Sequence, residues 1–120
     1  MSERAPNSEW LRGVLETCVL QTMVAGPTYG YQITTRLAEA GLGELKGGTL
    51  YPLLARLQKK GLVSVEWRVG NGGPGRKYFA LTSDGVAELY EAKLAWRAFN
   101  TTISTHLELA DVQSEQEVTS

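Results

Sequence analysis

The chain has 120 residues, 42% hydrophobic and 21% charged, with 12 Lys and Arg against 13 Asp and Glu and a formal net charge of −1. That composition suits one globular domain with one modest core, and no apolar run approaches the roughly 20 residues that span a bilayer. A single cysteine, Cys18, excludes an internal disulfide framework, and without a charged-then-apolar leader pattern the chain is expected in the cytoplasm.

Residues 1–8 (MSERAPNS) are polar, contain a proline and read as a flexible N-terminal arm. Leu11, Val14, Leu15, Cys18, Val19 and Met23 then recur at helical spacing, which predicts an amphipathic helix over 9–24 capped by Asn7 or Ser8. Gly26-Pro27 ends it, and Thr28 is the expected N-cap of a second helix over 29–40, with Ile33 and Leu37 one turn apart. Gly41 and Gly43 close that helix. A third runs from about 47–49 to Lys60, with Leu50, Leu53, Leu54 and Leu57 on one face and Pro52 near its start. Gly61 stops it.

From Leu62 the period changes. Val63, Val65 and Trp67 alternate with polar residues, the glycine-rich segment 70–75 reads as a flexible tip, and Lys77, Phe79 and Leu81 alternate again. This predicts a β-hairpin. Thr82-Ser83-Asp84 caps a long final helix over 83–109, and 110–120 reads as a disordered tail.

Charge is distributed unevenly over these elements. Lys46, Arg56, Lys59, Lys60, Arg68, Arg76 and Lys77 stand against Glu66 alone between 46 and 77, a segment of +6, while the rest of the chain carries −7. Local potential, not the total, governs attraction to a charged partner.

Helix, turn, helix and a basic glycine-tipped hairpin is the order of a winged helix-turn-helix. The fold class expected is therefore mainly α with a β-hairpin: a DNA-binding domain over 9–82 followed by a long C-terminal dimerisation helix. In such a unit the second helix of the pair enters the major groove. With the four leucines turned inward, Pro52, Arg56, Lys59 and Lys60 fall on the opposite face, and Thr49 and Tyr51 occupy the first turn. Helix N-termini favour phosphate, and arginine suits a narrow minor groove. The candidate DNA contacts are Tyr29, Lys46, Thr49, Tyr51, Arg56, Arg76 and Lys77; Tyr51 either reaches DNA or packs against the hairpin.

In the last helix Val86, Leu89, Lys93, Trp96, Asn100, Ile103 and Leu107 recur at spacings of three and four, the pattern of a two-helix seam. Left alone it would expose a long apolar stripe. A homodimer on a roughly palindromic double-stranded DNA operator is the expected assembly. The competing reading is a winged-helix module that docks on protein without specific DNA binding. Such a face would carry apolar or aromatic anchors, and this one carries Arg and Lys.

Four runs of residues resemble a known family. Tyr29-Gly30-Tyr31-Gln32-Ile33, Gly48-Thr49-Leu50-Tyr51-Pro52-Leu53-Leu54-x-Arg56-Leu57, Gly61-Leu62-Val63 and Gly75-Arg76-Lys77-Tyr78-x-x-Leu81-Thr82 are similar to the PadR family of transcriptional regulators, over about 9–107. The resemblance implies a homodimeric winged-helix repressor, dimerised by its C-terminal helix and released by a small aromatic ligand. The single final helix resembles the smaller subfamily. Trp96, at the centre of the seam, is either an aromatic interface anchor or, by the same resemblance, forms with its symmetry mate the walls of a pocket that stacks a flat ligand, with Leu15, Val19 and Phe99 as neighbours. The chain departs from the family at Lys46-Gly47, where Ser-Pro is frequent: a helix cap is lost and a positive charge is gained beside the expected phosphate path.

Other chemistry finds no support in the residues. Cys18 lies on the apolar face of the first helix as a small hydrophobe. One cysteine and one histidine, His106, supply neither metal-ligand spacing nor a nucleophile–base pair, and the glycine-rich tip lacks the Gly-Lys-Ser/Thr ending of a phosphate loop. Neither enzymatic activity nor a cofactor or metal is expected.

Overall fold

The structure, a computed structural model, describes residues 8–69 and 73–109. The expected N-terminal arm with its Asn7 cap, loop residues 70–72 and the expected tail over 110–120 lie outside the described residues.

The amphipathic stretch over 9–24 is two short helices, α1 (Ser8–Arg12) and α2 (Leu15–Gln21), not one. Gly13 and Val14 donate only to Trp10 and Leu11, three residues back, and Val14 leaves the helical region at φ −128°. At the other end the Thr22 hydroxyl donates to the Val19 carbonyl (2.6 Å), and Arg36 Nη1 donates to the Thr22 carbonyl (2.7 Å). These bonds occupy acceptors that a longer helix would need. The apolar stripe still faces inward: Leu15, Val19, Leu20 and Met23 are buried.

Thr28 does not cap the second helix. With Tyr29 it forms a two-residue strand, β1 (Thr28–Tyr29), too short to show any alternation in sequence. Thr28 is fully buried; its hydroxyl donates to the Gly26 carbonyl (2.9 Å) and accepts from Arg36 Nη1 (3.0 Å). Helix α3 (Gly30–Glu39) follows directly, with Tyr29 at the N-cap position making no side-chain cap bond.

Helices α3 and α4 (Gly47–Lys59) end alike. Gly41 (φ +89°) and Gly61 (φ +76°) take the left-handed conformation that closes a helix, and Leu42 and Leu62 donate back to Leu37 and Leu57 (3.0 Å each). Ile33 and Leu37 of α3 and all four leucines of α4 meet in the core, none more than 2% exposed. Pro52 lies in the second turn of α4, leaving the Gly48 carbonyl without its amide partner.

The hairpin, β2 (Val63–Val69) and β3 (Gly75–Leu81), belongs to a three-stranded antiparallel sheet of order β1-β3-β2. Its register runs from Val63↔Leu81 to Val69↔Gly75, and β1 adds Thr28↔Phe79 and Tyr29↔Tyr78 on the other side of β3. Val63 and Phe79 cover the core, but the ribbon runs on beyond it, so Trp67 on the same side is 69% exposed.

The last helix, α5 (Ser83–His106), starts from Thr82 as expected: its Oγ1 accepts from the Gly85 amide (3.0 Å) and donates to the Gly61 carbonyl (2.6 Å). It ends a turn short of 109, closed by Glu108 at φ 53° with Leu109 donating to Ser104 (3.0 Å). Only its first turns are held by the body, through buried Gly85 and Leu89; beyond them it projects, and the molecule measures 59 × 32 × 24 Å.

Gly85 packs directly on the Leu62 carbonyl, and a methyl group there would collide with backbone, which cannot yield as a side chain can. Gly85→Ala is expected to destabilise the protein by about 1–3 kcal/mol. Gly48→Ala, in α4 with nothing near its Cα hydrogens, is expected to be neutral or slightly stabilising. Thermal melts of the two variants check the contrast.

Candidate nucleic-acid interface

Strand β1 gives the candidate surface its geometry. Pairing with β3 sets Tyr29 opposite Tyr78, and their rings meet edge-on with centroids 5.3 Å apart. The Arg76 guanidinium lies over the other ring of this pair, Cζ 4.5 Å from the Tyr29 centroid. Such stacking is attractive and leaves the N–H groups at the guanidinium edge open. Lys77, the next residue, leaves the opposite face of the strand, its ammonium 5.7 Å from the Phe79 ring.

Tyr51 of α4 lies across Gly30, the first residue of α3, so closely that a methyl group at Gly30 would overlap its hydroxyl. It therefore packs on the start of the supporting helix, with 54% of its surface exposed. Tyr29, Gly30, Tyr31, Tyr51, Arg76 and Lys77 together line one open cleft of about 400 Å³. Four of the seven sequence-predicted DNA contacts thus meet in one place, although they come from three separate stretches of chain.

The other three stand apart from that cleft. Lys46 is the N-cap of α4, in extended conformation and exposed, and its side chain makes no cap bond. Thr49 is exposed one turn in, on the side of α4 that faces α2. Arg56, expected on the outward face, leans toward α2: its Nε is 3.5 Å from Glu16 Oε2, and Lys60 Nζ is 3.1 Å from Glu16 Oε1. A helical position on the flank of the leucine face made this neighbour reachable. Lys59, squarely opposite the leucines, has no ion pair among the described residues. Sequence reading did not single out Arg68, which faces Arg76 across the ladder with its Cζ 4.6 Å from the Tyr78 ring centroid. The strand alternation around it held the signal.

The second set of predicted residues divides. Val86, Lys93, Trp96, Asn100, Ile103 and Leu107 are exposed along α5, whereas Leu89, expected in the same seam, is 4% exposed and belongs to the chain's own core. Trp96 and Phe99 sit side by side with ring centroids 6.0 Å apart. Leu15 and Val19, expected beside them as ligand neighbours, are core residues of this chain at 9% and 0% exposure. Their helical stripe reads equally as pocket wall or as core, and the tertiary packing chooses core. Cys18 is half-buried, and burial pushes its thiol up, away from the reactive thiolate.

Because Tyr51 occupies the space that a Gly30 side chain would need, the two positions are energetically coupled. Gly30→Ala alone is expected to cost about 1 kcal/mol, less than Gly85→Ala because the exposed end of Tyr51 can swing aside, and that loss is expected to vanish in a Tyr51→Ala background. A thermal-denaturation cycle over the four proteins measures it.

Similarity to known proteins agrees with this geometry. Residues 19–91 match the Transcriptional regulator PadR-like family. A PadR family transcriptional regulator from Eggerthella lenta is 35% identical with a TM-score of 0.78, covering 86% of this chain and 89% of its own. A PadR-like transcriptional regulator from Bacillus cereus is also 35% identical, with a TM-score of 0.74 over 86% of this chain and 99% of its own. An uncharacterised protein of Lysinibacillus sphaericus is 29% identical over 103 residues, 84% of this chain and 94% of the relative. No helix among the described residues is long and apolar enough to cross a membrane. The wing, the helix pair and these likenesses make the chain a member of the PadR-like family of winged-helix transcriptional regulators, which are DNA-binding proteins and not enzymes.

Proposed function

We propose that the protein is a cytoplasmic repressor that binds a palindromic operator as a homodimer, with α4 in the major groove and the β2–β3 wing against the adjacent minor groove. The observation that carries this reading is the shared cleft of Tyr29, Tyr51, Arg76 and Lys77. It joins the first turn of α4 to the wing, so one run of duplex would meet both. Lys46 and Thr49 extend the surface along the tip of α4, where free amides favour phosphate. A dimer lying over two successive major grooves, about 34 Å apart, would hinder a polymerase by occupancy alone.

The dimer reading rests on α5. Trp96, Phe99, Ile103 and Leu107 are 38–57% exposed on a helix that projects from the body, and a second copy of α5 would cover them. The adjoining Trp96 and Phe99 rings are also where a flat aromatic effector would stack between two such helices.

Arg76→Gln is expected to lower affinity for duplex DNA and to flatten the dependence of log K on log salt by about 0.9 for each protomer engaged. Fluorescence anisotropy over a potassium chloride series reads both; an unchanged slope contradicts the placement of the wing. Sedimentation equilibrium is expected to give twice the 13.1 kDa chain mass. Ile103→Glu, on the seam, is expected to yield monomer, and Leu94→Glu, on the far side of α5, to remain dimeric.

A further inference from the structure

Arg68 and Arg76 are directly opposed across the β2–β3 ladder. Like charges at such positions destabilise a hairpin, so sheet stability does not account for the pair. Both guanidiniums are nonetheless held in place: Arg76 lies over Tyr29 at 4.5 Å, Arg68 lies over Tyr78 at 4.6 Å, and the two rings meet edge-on. Strand alternation sends all four side chains from the same face of the sheet. Beside the arginines the outer wing holds an open cleft of about 520 Å³, lined by Arg68, Val69, Arg76 and Tyr78 and by residues 73–75. Arg76 also borders the cleft that holds Tyr51, so the surface runs unbroken from the start of α4 to the outer wing.

Stacking takes up the flat faces of the guanidiniums and leaves their in-plane N–H groups free to fork an anion. Arg76 forms no ion pair among the described residues; Arg68 Nη2 is 2.8 Å from Glu66 Oε1. We propose that Arg68 and Arg76 form a two-guanidinium seat for one backbone phosphate of duplex DNA, with Tyr78 and Tyr29 as positioning residues and Glu66 holding Arg68 in the free protein. This rests on the DNA-binding reading above and adds to it a second wing arginine and a competing carboxylate. A phosphate between the arginines relieves their mutual repulsion. Because Glu66 and the phosphate claim the same donors, the carboxylate pair gives way as the phosphate arrives.

The test is anisotropy with a labelled random-sequence duplex of about 30 base pairs, long enough for two half-sites, over a potassium chloride series, with circular dichroism on every variant. Arg68→Gln is expected to weaken binding roughly tenfold and to flatten the salt slope by about 0.9 per protomer engaged. Arg68→Lys, which keeps charge but not the fork, falls between it and the parent. Tyr78→Phe retains the parent affinity, and Tyr78→Leu matches Arg68→Gln. Glu66→Gln tightens binding about two- to fivefold with Arg68 present and has no effect in the Arg68→Gln background. If Arg68→Gln leaves affinity and slope unchanged while Arg76→Gln lowers both, the two-arginine seat is wrong and the DNA-binding reading survives. An equal gain from Glu66→Gln in both backgrounds also overturns the seat. Failure of the parent protein to bind the duplex at low salt sinks both.

Discussion

The peptide group of Leu62 fixes how the two halves of this protein are related. Its amide closes α4 by donating to the Leu57 carbonyl, and its own carbonyl accepts from the Thr82 amide at the entrance to α5 (3.1 Å). Gly85 packs against the same carbonyl from the first turn of α5. The hydroxyl of Thr82 completes the junction by bonding both the Gly61 carbonyl and the Gly85 amide. The end of one helix and the start of another, separated in sequence by the whole wing, thus share one hydrogen-bonded knot. Any shift of α5 must pass through backbone atoms to α4, and backbone is stiff. The end of α4 and the start of the projecting helix are thereby tied through the same few atoms.

A second constraint joins the wing to the start of α3. Strand β3 is central, bonded to β2 on one side and to the two residues of β1 on the other. That short pairing brings the start of α3 against the wing, and Gly30, by having no side chain, lets Tyr51 of α4 lie over the joint. Three elements far apart in sequence are locked at one point by a strand of two residues and a missing methyl group. The stacked rings and guanidiniums then order the long arginine side chains before any partner arrives, which reduces the entropy lost on binding.

How much of this was legible in the sequence follows from the range of the forces involved. The leucine face of α4, the closing glycines at 41 and 61, the Thr82 cap and the hairpin are local in origin, and the sequence pattern predicts each of them. The break at Gly13–Val14 was not legible, because the apolar stripe continues through it and core packing rewards the stripe whether or not the helix is continuous. Thr28 reads as a cap by residue type; only its pairing with Phe79, some fifty positions later, makes it a strand. Leu15, Val19 and Leu89 could serve a pocket, a seam or a core by periodicity alone. Their burial is a tertiary fact. Arg56 is similar: expected opposite the leucines, it lies on their flank, where a carboxylate of another helix reaches it.

The charge pattern shows the same division and sharpens what the basic segment means. Seven cations lie between Lys46 and Lys77, but they are not equivalent. Glu16 engages Arg56 and Lys60, and Glu66 engages Arg68. Lys46, Lys59, Arg76 and Lys77 have no carboxylate within ion-pair distance among the described residues. These four lie along the tip and outward face of α4 and on the outer part of strand β3. A surface ion pair contributes little to stability, roughly 0–1 kcal/mol, so Glu16 and Glu66 matter more for where they leave positive potential than for what they hold together. They offset charge at Arg56 and Lys60 on the α2 flank and at Arg68 on the wing, and leave Lys46, Lys59, Arg76 and Lys77 without a carboxylate partner among the described residues. A near-neutral chain therefore carries unpaired cations on this segment, and two acids decide which of the seven those are.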